Sequence, residues 1–249
     1  MNNLIAYTLH LADNALVLGH RNSEWTGHGP ILEQDIALSN ISLDLIGQAR
    51  NFYQYAAELI GGDSTEDSLA YFRNAQEYKN CLIVEQNNGD WGKTILRQFL
   101  VSAYQYPLYQ HLLKSPDVRI SAISEKSLKE VTYHLRWSSE WVIRLGQGTE
   151  ESYRRMNNAM HELWRFTEEL YTPASYEREL LKQRITGEPS DIHSAWQSRI
   201  DGVLGEAGIR IPINVQMMTG GKEGRHTEYL QQLLEEMQYM QRTYPGVEW

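Results

Sequence analysis

Apolar side chains recur at three- and four-residue steps along most of the chain, and the alternating pattern of strands is nearly absent. The longest stripe lies within residues 31–60 and contains Leu38, Ile41, Leu45, Phe52, Tyr55 and Leu59. Shorter stripes predict further helices over residues 3–22, 91–114, 116–145, 150–171, 190–204 and 227–243. A short helix followed by irregular chain is predicted for 64–90, and a loop or extended segment for 205–212.

Glycine and proline residues indicate where these helices begin and end. Gly61 and Gly62 follow the long stripe, and glycine readily takes the left-handed geometry that ends a helix. Ser115 and Pro116 are predicted to cap and begin the helix that runs to residue 145. No low-complexity linker divides the chain, so residues 1–249 are expected to form a single domain. Long antiparallel helices with both short and long connections predict an all-α fold, a ferritin-like four-helix bundle with additional helices.

Composition narrows the class of protein. The net charge of −9 argues against a general binder of nucleic acids or anionic membranes, because phosphate contacts need a basic surface. Cys81 is the single cysteine, which excludes an internal disulfide and favours the cytoplasm. His10 and Asp13 interrupt the first apolar stretch, so we expect no signal peptide. No apolar run approaches membrane-spanning length.

A ferritin-like bundle can hold two metal ions in its interior. The ligands are a Glu from each of two helices and a Glu-x-x-His pair from each of two others. Residues 91–115 contain no Asp or Glu, so the third long helix supplies no carboxylate. Among the eight histidines, only His226 has a carboxylate three residues earlier, at Glu223, and that pair lies in a glycine-rich loop.

The helices predicted over residues 31–60 and 116–145 carry only a few of the ligands that such a site needs. Leu45 and Gln48 lie on the core stripe of one helix, next to Asp44, and Val131 lies on the apolar stripe of the other. His134 follows Val131 by three residues, and Glu130 precedes it by one. We predict that these residues are too few for a di-iron centre. The interpretation we favour is a buried polar network in which Gln48 and Asn51 join Asp13 and His134.

Five segments carry a resemblance to a known family. They are residues 35–51 (DIALSNISLDLIGQARN), 129–136 (KEVTYHLR), 163–167 (LWRFT), 219–228 (TGGK followed by HTE) and 236–242, with Trp249 at the end. In these segments the chain resembles the C subunits of bacterial phenylacetyl-CoA 1,2-epoxidases. The resemblance implies that a related A subunit binds the metals and the acyl-CoA. At the positions of its ligands this chain has Leu45 for Glu, Gln48 for His, Val131 for Glu, and the retained His134.

The resemblance therefore implies a non-catalytic structural subunit that serves aerobic phenylacetate degradation. It would hold and orient a catalytic A subunit, which carries the di-iron cofactor, and this chain would hold no cofactor. A further small subunit, a reductase and a homodimer are also expected partners. Two alternatives remain: an autonomous metal-dependent oxidase with an unusual site around His134, Glu130 and Asp44, and a stand-alone helical adaptor.

A glycine-rich loop near the C-terminus offers a second candidate site. Gly220, Gly221, Lys222, Arg225 and His226 combine backbone N–H groups with basic side chains ahead of a helix. The segment lacks the full phosphate-binding pattern, and no strand is predicted before it. A structural loop, or one that contacts another subunit, is the prediction, and contact with the CoA nucleotide of a partner-bound substrate is the alternative.

Overall fold

The computed structural model describes residues 2–247, so Trp249 lies outside the described part of the chain. The helices are α1 (Asn3–Ser23), α2 (Leu32–Ile60), α3 (Glu66–Tyr71), α4 (Leu82–Glu85), α5 (Trp91–Leu112), α6 (Val118–Gly146), α7 (Glu150–Leu163), α8 (Glu168–Tyr171), α9 (Ser175–Lys182), α10 (Pro189–Ala207), α11 (Glu228–Met237) and α12 (Tyr239–Thr243). Short 3₁₀ turns occur at Ala75–Glu77, Trp164–Phe166 and Gly221–Glu223. The prediction of an all-α fold is confirmed.

The four long helices α1, α2, α5 and α6 form the bundle. α1 and α2 are antiparallel neighbours, since Tyr53 bonds to Asp13 and Leu45 lies against Gly19. α5 and α6 are also antiparallel neighbours, since Trp91 packs against Trp141 and Ser121 bonds to Leu113 at the other end. Two cross-helix hydrogen bonds, Asn22 to Gln98 and Trp25 to Thr94, place α1 antiparallel to α5. α2 and α5 consequently run in the same direction, and the chain needs the long crossover of residues 61–90 to connect them. This arrangement of one long and two short connections is the one expected for a ferritin-like bundle.

The helices differ from the predictions in several places. α10 continues to Ala207, into the segment predicted as loop or extended, and the helix predicted over 227–243 is divided into α11 and α12. α6 begins at Val118, because Asp117 rather than Ser115 is the cap and accepts from the backbone N–H groups of Arg119 and Ile120. α7 ends at Leu163, where a 3₁₀ turn interrupts the predicted helix. α9 was not predicted, and it begins two residues after Pro173.

Buried apolar side chains form one continuous cluster that extends from Ala6 to Leu234. At one end of the bundle, the Trp91 ring meets three other rings edge-on, those of Trp25, Trp137 and Trp141, at centroid distances of 5.2 to 6.2 Å. The single domain stays a prediction, which this continuous core supports. Among residues 2–247, no helix is long and apolar enough to cross a membrane.

Candidate functional site

Four of the positions singled out on α2 and α6 lie inside the bundle. Leu45 and Val131 have no exposed surface, Gln48 is 1% exposed, and the His134 ring is fully buried. Helical periodicity therefore assigned these four side chains to the correct face. Since α2 and α6 are antiparallel, the turn containing residues 44–48 faces the turn containing residues 130–134.

A histidine–carboxylate hydrogen bond joins the two turns. His134 Nε2 lies 3.0 Å from Asp44 Oδ2, and Asp44 is half-buried. Because a carboxylate oxygen accepts, Nε2 carries the proton of this contact. The other ring nitrogen, Nδ1, is buried and has no hydrogen-bond partner among the described residues.

A second group of hydrogen bonds is centred on Gln48. Its amide Nε2 donates to Glu130 Oε2 at 2.9 Å, and its Oε1 accepts from the Tyr109 hydroxyl of α5 at 3.2 Å. Burial raises the pKa of Glu130, and the nearby charge of Asp44 raises it further. At position 48, where the resemblance implies a histidine ligand in the A subunit, this chain has an amide, which bonds to a carboxylate at the edge of the core.

α5 contributes neutral polar groups to the interior. Gln98 Nε2 donates to Ser102 Oγ at 2.8 Å, and Gln98 Oε1 accepts from Asn22 of α1 at 2.6 Å. Gln105 is also buried. α5 thus brings amides, a hydroxyl and the buried Arg97 to the interior, and its sequence contains no carboxylate.

Asp13 does not belong to this network, so that part of the prediction was wrong. Its carboxylate accepts from the Tyr53 hydroxyl at 2.5 Å and from the backbone N–H of Lys79 at 2.7 Å, and it forms an ion pair with Arg73. The Arg73 guanidinium in turn stacks over the Tyr78 ring at 4.2 Å. Asp13 was correctly placed inside the bundle, but the crossover segment supplies its partners and keeps it from His134.

The donor atoms in this interior do not fit a di-iron centre. Two irons need several carboxylates to balance their charge, together with imidazole ligands. Here one imidazole is already bonded to Asp44, and Leu45 and Val131 have no ligand atom. Within residues 2–247, no group of three or more His, Cys, Asp or Glu side chains is arranged to hold a metal ion.

Comparison with known proteins assigns the family. The sequence profile described as "Phenylacetic acid catabolic protein" matches residues 1–249. The chain belongs to this family. The C subunit of 1,2-phenylacetyl-CoA epoxidase from Escherichia coli (strain K12) is 47% identical over 249 residues, which cover the whole of both chains.

A solved structure supports the fold of this family member. A protein with aldehyde deformylating oxidase activity from Synechococcus superimposes with a TM-score of 0.54 over 84% of this chain and 88% of its own. The two sequences are 14% identical, so the likeness concerns the fold alone. The ferritin-like arrangement that the helix pattern predicted is confirmed.

The glycine-rich loop of this family member is anchored inside the protein. Glu169 is buried and accepts from the backbone N–H groups of Gly220 at 2.7 Å and Lys222 at 3.3 Å, and also from that of Leu82 at 2.7 Å. At Gly221 a Cβ atom would lie 2.2 Å from a backbone oxygen of the crossover, so a side chain does not fit there. The glycines allow close packing of two backbone segments.

The basic residues of the loop have different roles. Lys222 is 3% exposed, and its Nζ lies 3.0 Å from Glu177 and 3.0 Å from the carbonyl of Thr172. Burial alone would raise the pKa of Glu177, but the Lys222 charge holds it below its ordinary value. His226 contacts buried Glu85 at 2.7 Å. Arg225 is exposed, and contact with a partner or with CoA stays a prediction for it.

Sequence reasoning missed the three buried glutamates that anchor this region. Glu85 directly follows the apolar run Leu82-Ile83-Val84, and this position next to a buried segment is the one sequence signal of its burial. Glu169 and Glu177 had no comparable signal, because both lie in short segments with a mixed pattern. Their partners come from distant parts of the chain.

We expect Lys222→Met to lower the free energy of unfolding by about 3–5 kcal/mol, because Glu177 would then be a buried carboxylate without its cation. Lys182→Met is the matched control, since that lysine is exposed and pairs with exposed Glu179; its loss should cost at most about 1 kcal/mol. Adding Glu177→Gln to Lys222→Met should recover part of the stability. Urea unfolding of the four proteins measures these effects, and equal losses from both lysines would contradict the buried ion pair.

The burial of Leu45 gives a second test. Leu45→Glu should destabilise the chain by several kcal/mol or take up a proton, because its carboxylate would enter the core unpaired. Leu43→Glu makes the same change two residues away, where the side chain is 65% exposed, and should leave the melting temperature nearly unchanged. Similar melts for the two variants would show that Leu45 does not face the core.

A triple variant extends this test to metal binding. Leu45→Glu, Gln48→His and Val131→Glu together place new ligands beside His134. Fe(II) or Co(II) that binds only the folded state should recover about 2.7 kcal/mol at a hundredfold excess over Kd. The recovery should be incomplete, because α5 has no carboxylate. Full recovery of the wild-type melting temperature would show that the interior needs no ligand from α5.

Proposed function

We propose that this chain is the non-catalytic structural subunit of a multicomponent phenylacetyl-CoA epoxidase. In this role it holds and orients a related chain, the A subunit, which carries the di-iron cofactor and binds the acyl-CoA. The chain itself holds no cofactor in this proposal. Its relative in Escherichia coli is named as the C subunit of such an epoxidase, which supports the assignment.

The observation that carries the proposal is the chemistry of the buried positions on α2 and α6. Leu45 and Val131 are apolar and fully buried. Gln48 and His134 each bond to a carboxylate of the opposite helix. These bonds occupy the Gln48 amide and His134 Nε2, which supports a structural role over oxygen activation, although His134 Nδ1 has no partner among the described residues.

An autonomous oxidase is the alternative that one observation favours. The unpartnered Nδ1 of His134 is an available ligand atom, and Asp44 and Glu130 lie nearby. A mononuclear site would need at least one more converging ligand, and the described residues provide none. A stand-alone adaptor is less consistent with the 47% identity to a named component of an epoxidase.

The proposal includes a set of partners. The A subunit is the principal one, and a further small subunit and a reductase complete the proposed oxygenase. Assembly of the epoxidase through a homodimer of this chain is a further element of the proposal. A cytoplasmic location agrees with the single cysteine, Cys81, which is buried and free.

The test compares this chain alone with the chain co-expressed with the A subunit. Alone, it should neither consume oxygen nor convert phenylacetyl-CoA, and together the two should co-purify and turn over once reductase is added. His134→Gln should leave turnover of the complex within about twofold, provided that circular dichroism shows an intact fold. His161→Gln is the matched control, because His161 is exposed on α7.

Two results would contradict the proposal. Oxygen consumption by this chain alone that His134→Gln abolishes and His161→Gln does not would establish the oxidase. Failure to co-purify with the A subunit, even at low salt, would favour the stand-alone adaptor.

A further inference from the structure

His226 joins the C-terminal part of the chain to the crossover. One ring nitrogen, Nδ1, lies 2.7 Å from Glu85 Oε2, and the other, Nε2, lies 3.0 Å from the carbonyl oxygen of Tyr78. The His226 side chain is 4% exposed, and that of Glu85 is fully buried. Both ring nitrogens therefore meet oxygen atoms of the crossover in a site that is nearly closed to water.

The partners of the two nitrogens determine the protonation of the ring. A carbonyl oxygen only accepts, so Nε2 carries a proton. Three more groups donate to the Glu85 carboxylate: the amide of Asn80 at 2.8 Å, and the backbone N–H and hydroxyl of Thr227 at 2.6 and 2.8 Å. Such donors favour the ionised carboxylate, which accepts from Nδ1 as well. The geometry thus requires an imidazolium, with a proton on each nitrogen.

The charges around the ring favour the same state. Burial alone would lower the pKa of His226. The hydrogen bond and charge of Glu85 raise it, and the Tyr78 carbonyl and the charge of Asp13 add to this, so the pKa lies above its ordinary value. Arg73 is a cation of the same cluster, but its charge is paired with Asp13.

The C-terminal segment, residues 226–247, has further contacts that hold it in place. α11 packs against α4. Its apolar face is buried at Leu230, Leu233 and Leu234. Arg21 of α1 donates to the carbonyls of Glu85 and Tyr229, and Arg242 donates to a carbonyl of the crossover at 2.9 Å. Arginine keeps its charge through the neutral range of pH, so a change of pH there acts on this attachment through histidine.

His20 of α1 is a second histidine beside α11. Burial lowers its pKa, and the charge of Glu236 on α11 opposes this only in part. His20 therefore gains its charge at a lower pH than that at which His226 loses its own. Above about pH 6.5, the ordinary value for histidine, the titration of His226 is separated from that of His20.

We propose that His226 is a pH-sensitive clamp: as an imidazolium it holds the C-terminal segment against the crossover, and loss of one proton at higher pH loosens this segment. The neutral ring has a single N–H, so one of its two contacts loses its hydrogen bond, and the buried Glu85 carboxylate loses its cation. The apolar contacts of α11 do not titrate, so the segment loosens while the bundle stays folded. The inference concerns this chain alone and does not rest on the proposed function.

The direction of the pH dependence follows from the raised pKa of His226. The stabilisation is complete below the value for the unfolded chain, about 6.5, and it is lost as the pH rises through the higher value of the folded chain. The C-terminal segment should therefore be held most firmly in mildly acidic to neutral solution and less firmly in alkaline solution.

The test measures the ring and the segment separately. NMR of the chain labelled with [15N]histidine should show an imidazolium at neutral pH, assigned to His226 by its loss in His226→Gln. Hydrogen–deuterium exchange of residues 228–237, divided by the intrinsic exchange rate at each pH, should show protection that falls severalfold as the ring titrates. In His226→Gln this protection should be lower at neutral pH and constant over the same range. His161→Gln is the matched control, because His161 is exposed on α7, and it should behave as wild type.

Two results would overturn the inference. One is a neutral His226 ring at neutral pH, a measurement on the wild-type chain that holds even if His226→Gln does not fold. The other is protection of α11 that stays constant while the wild-type ring titrates, or that falls equally in His226→Gln. An imidazolium whose titration coincides with the loss of protection would establish the clamp.

Discussion

Buried carboxylates and their distant partners hold the outer segments of this chain to its four-helix bundle. Asp13 of α1 binds Arg73 and a backbone N–H of the crossover. Glu85 and Glu169 accept from the C-terminal loop, at Thr227 and Gly220, and Glu177 pairs with Lys222 of the same loop. Each carboxylate is stable inside the protein because every partner is in place. Loss of one partner leaves an uncompensated charge, which is far more costly than loss of a surface ion pair.

The centre of the bundle also avoids uncompensated buried charge, but it does so because few charged side chains lie there. A di-iron protein keeps several carboxylates in this region and neutralises them with metal. We propose that Leu45 and Val131 occupy two of the corresponding positions in this chain, and both are buried apolar side chains that bring no charge. The remaining acids, Asp44 and Glu130, lie toward the outside and bond to His134 and Gln48. We propose that this arrangement keeps the ferritin-like fold without a bound metal.

Helical periodicity was sufficient to predict the bundle, because α1, α2, α5 and α6 are long and have clear apolar stripes. It also assigned residues 45, 48, 131 and 134 to the core. It could not identify the neighbours of a buried polar residue, so Asp13 was assigned to the wrong network. The eight-residue helix α9 was missed because it spans little more than two turns and gives only a short pattern. The burial of Lys222 depends on Glu177, a tertiary pairing that no local pattern reveals.

The central proposal is that this interior folds without binding metal. The most direct measurement is the metal content of the purified chain after aerobic loading with iron and gel filtration. The account predicts far less than one iron per chain, while the A subunit treated in the same way retains its iron. Close to two irons per chain, bound firmly enough to survive gel filtration, would contradict the account.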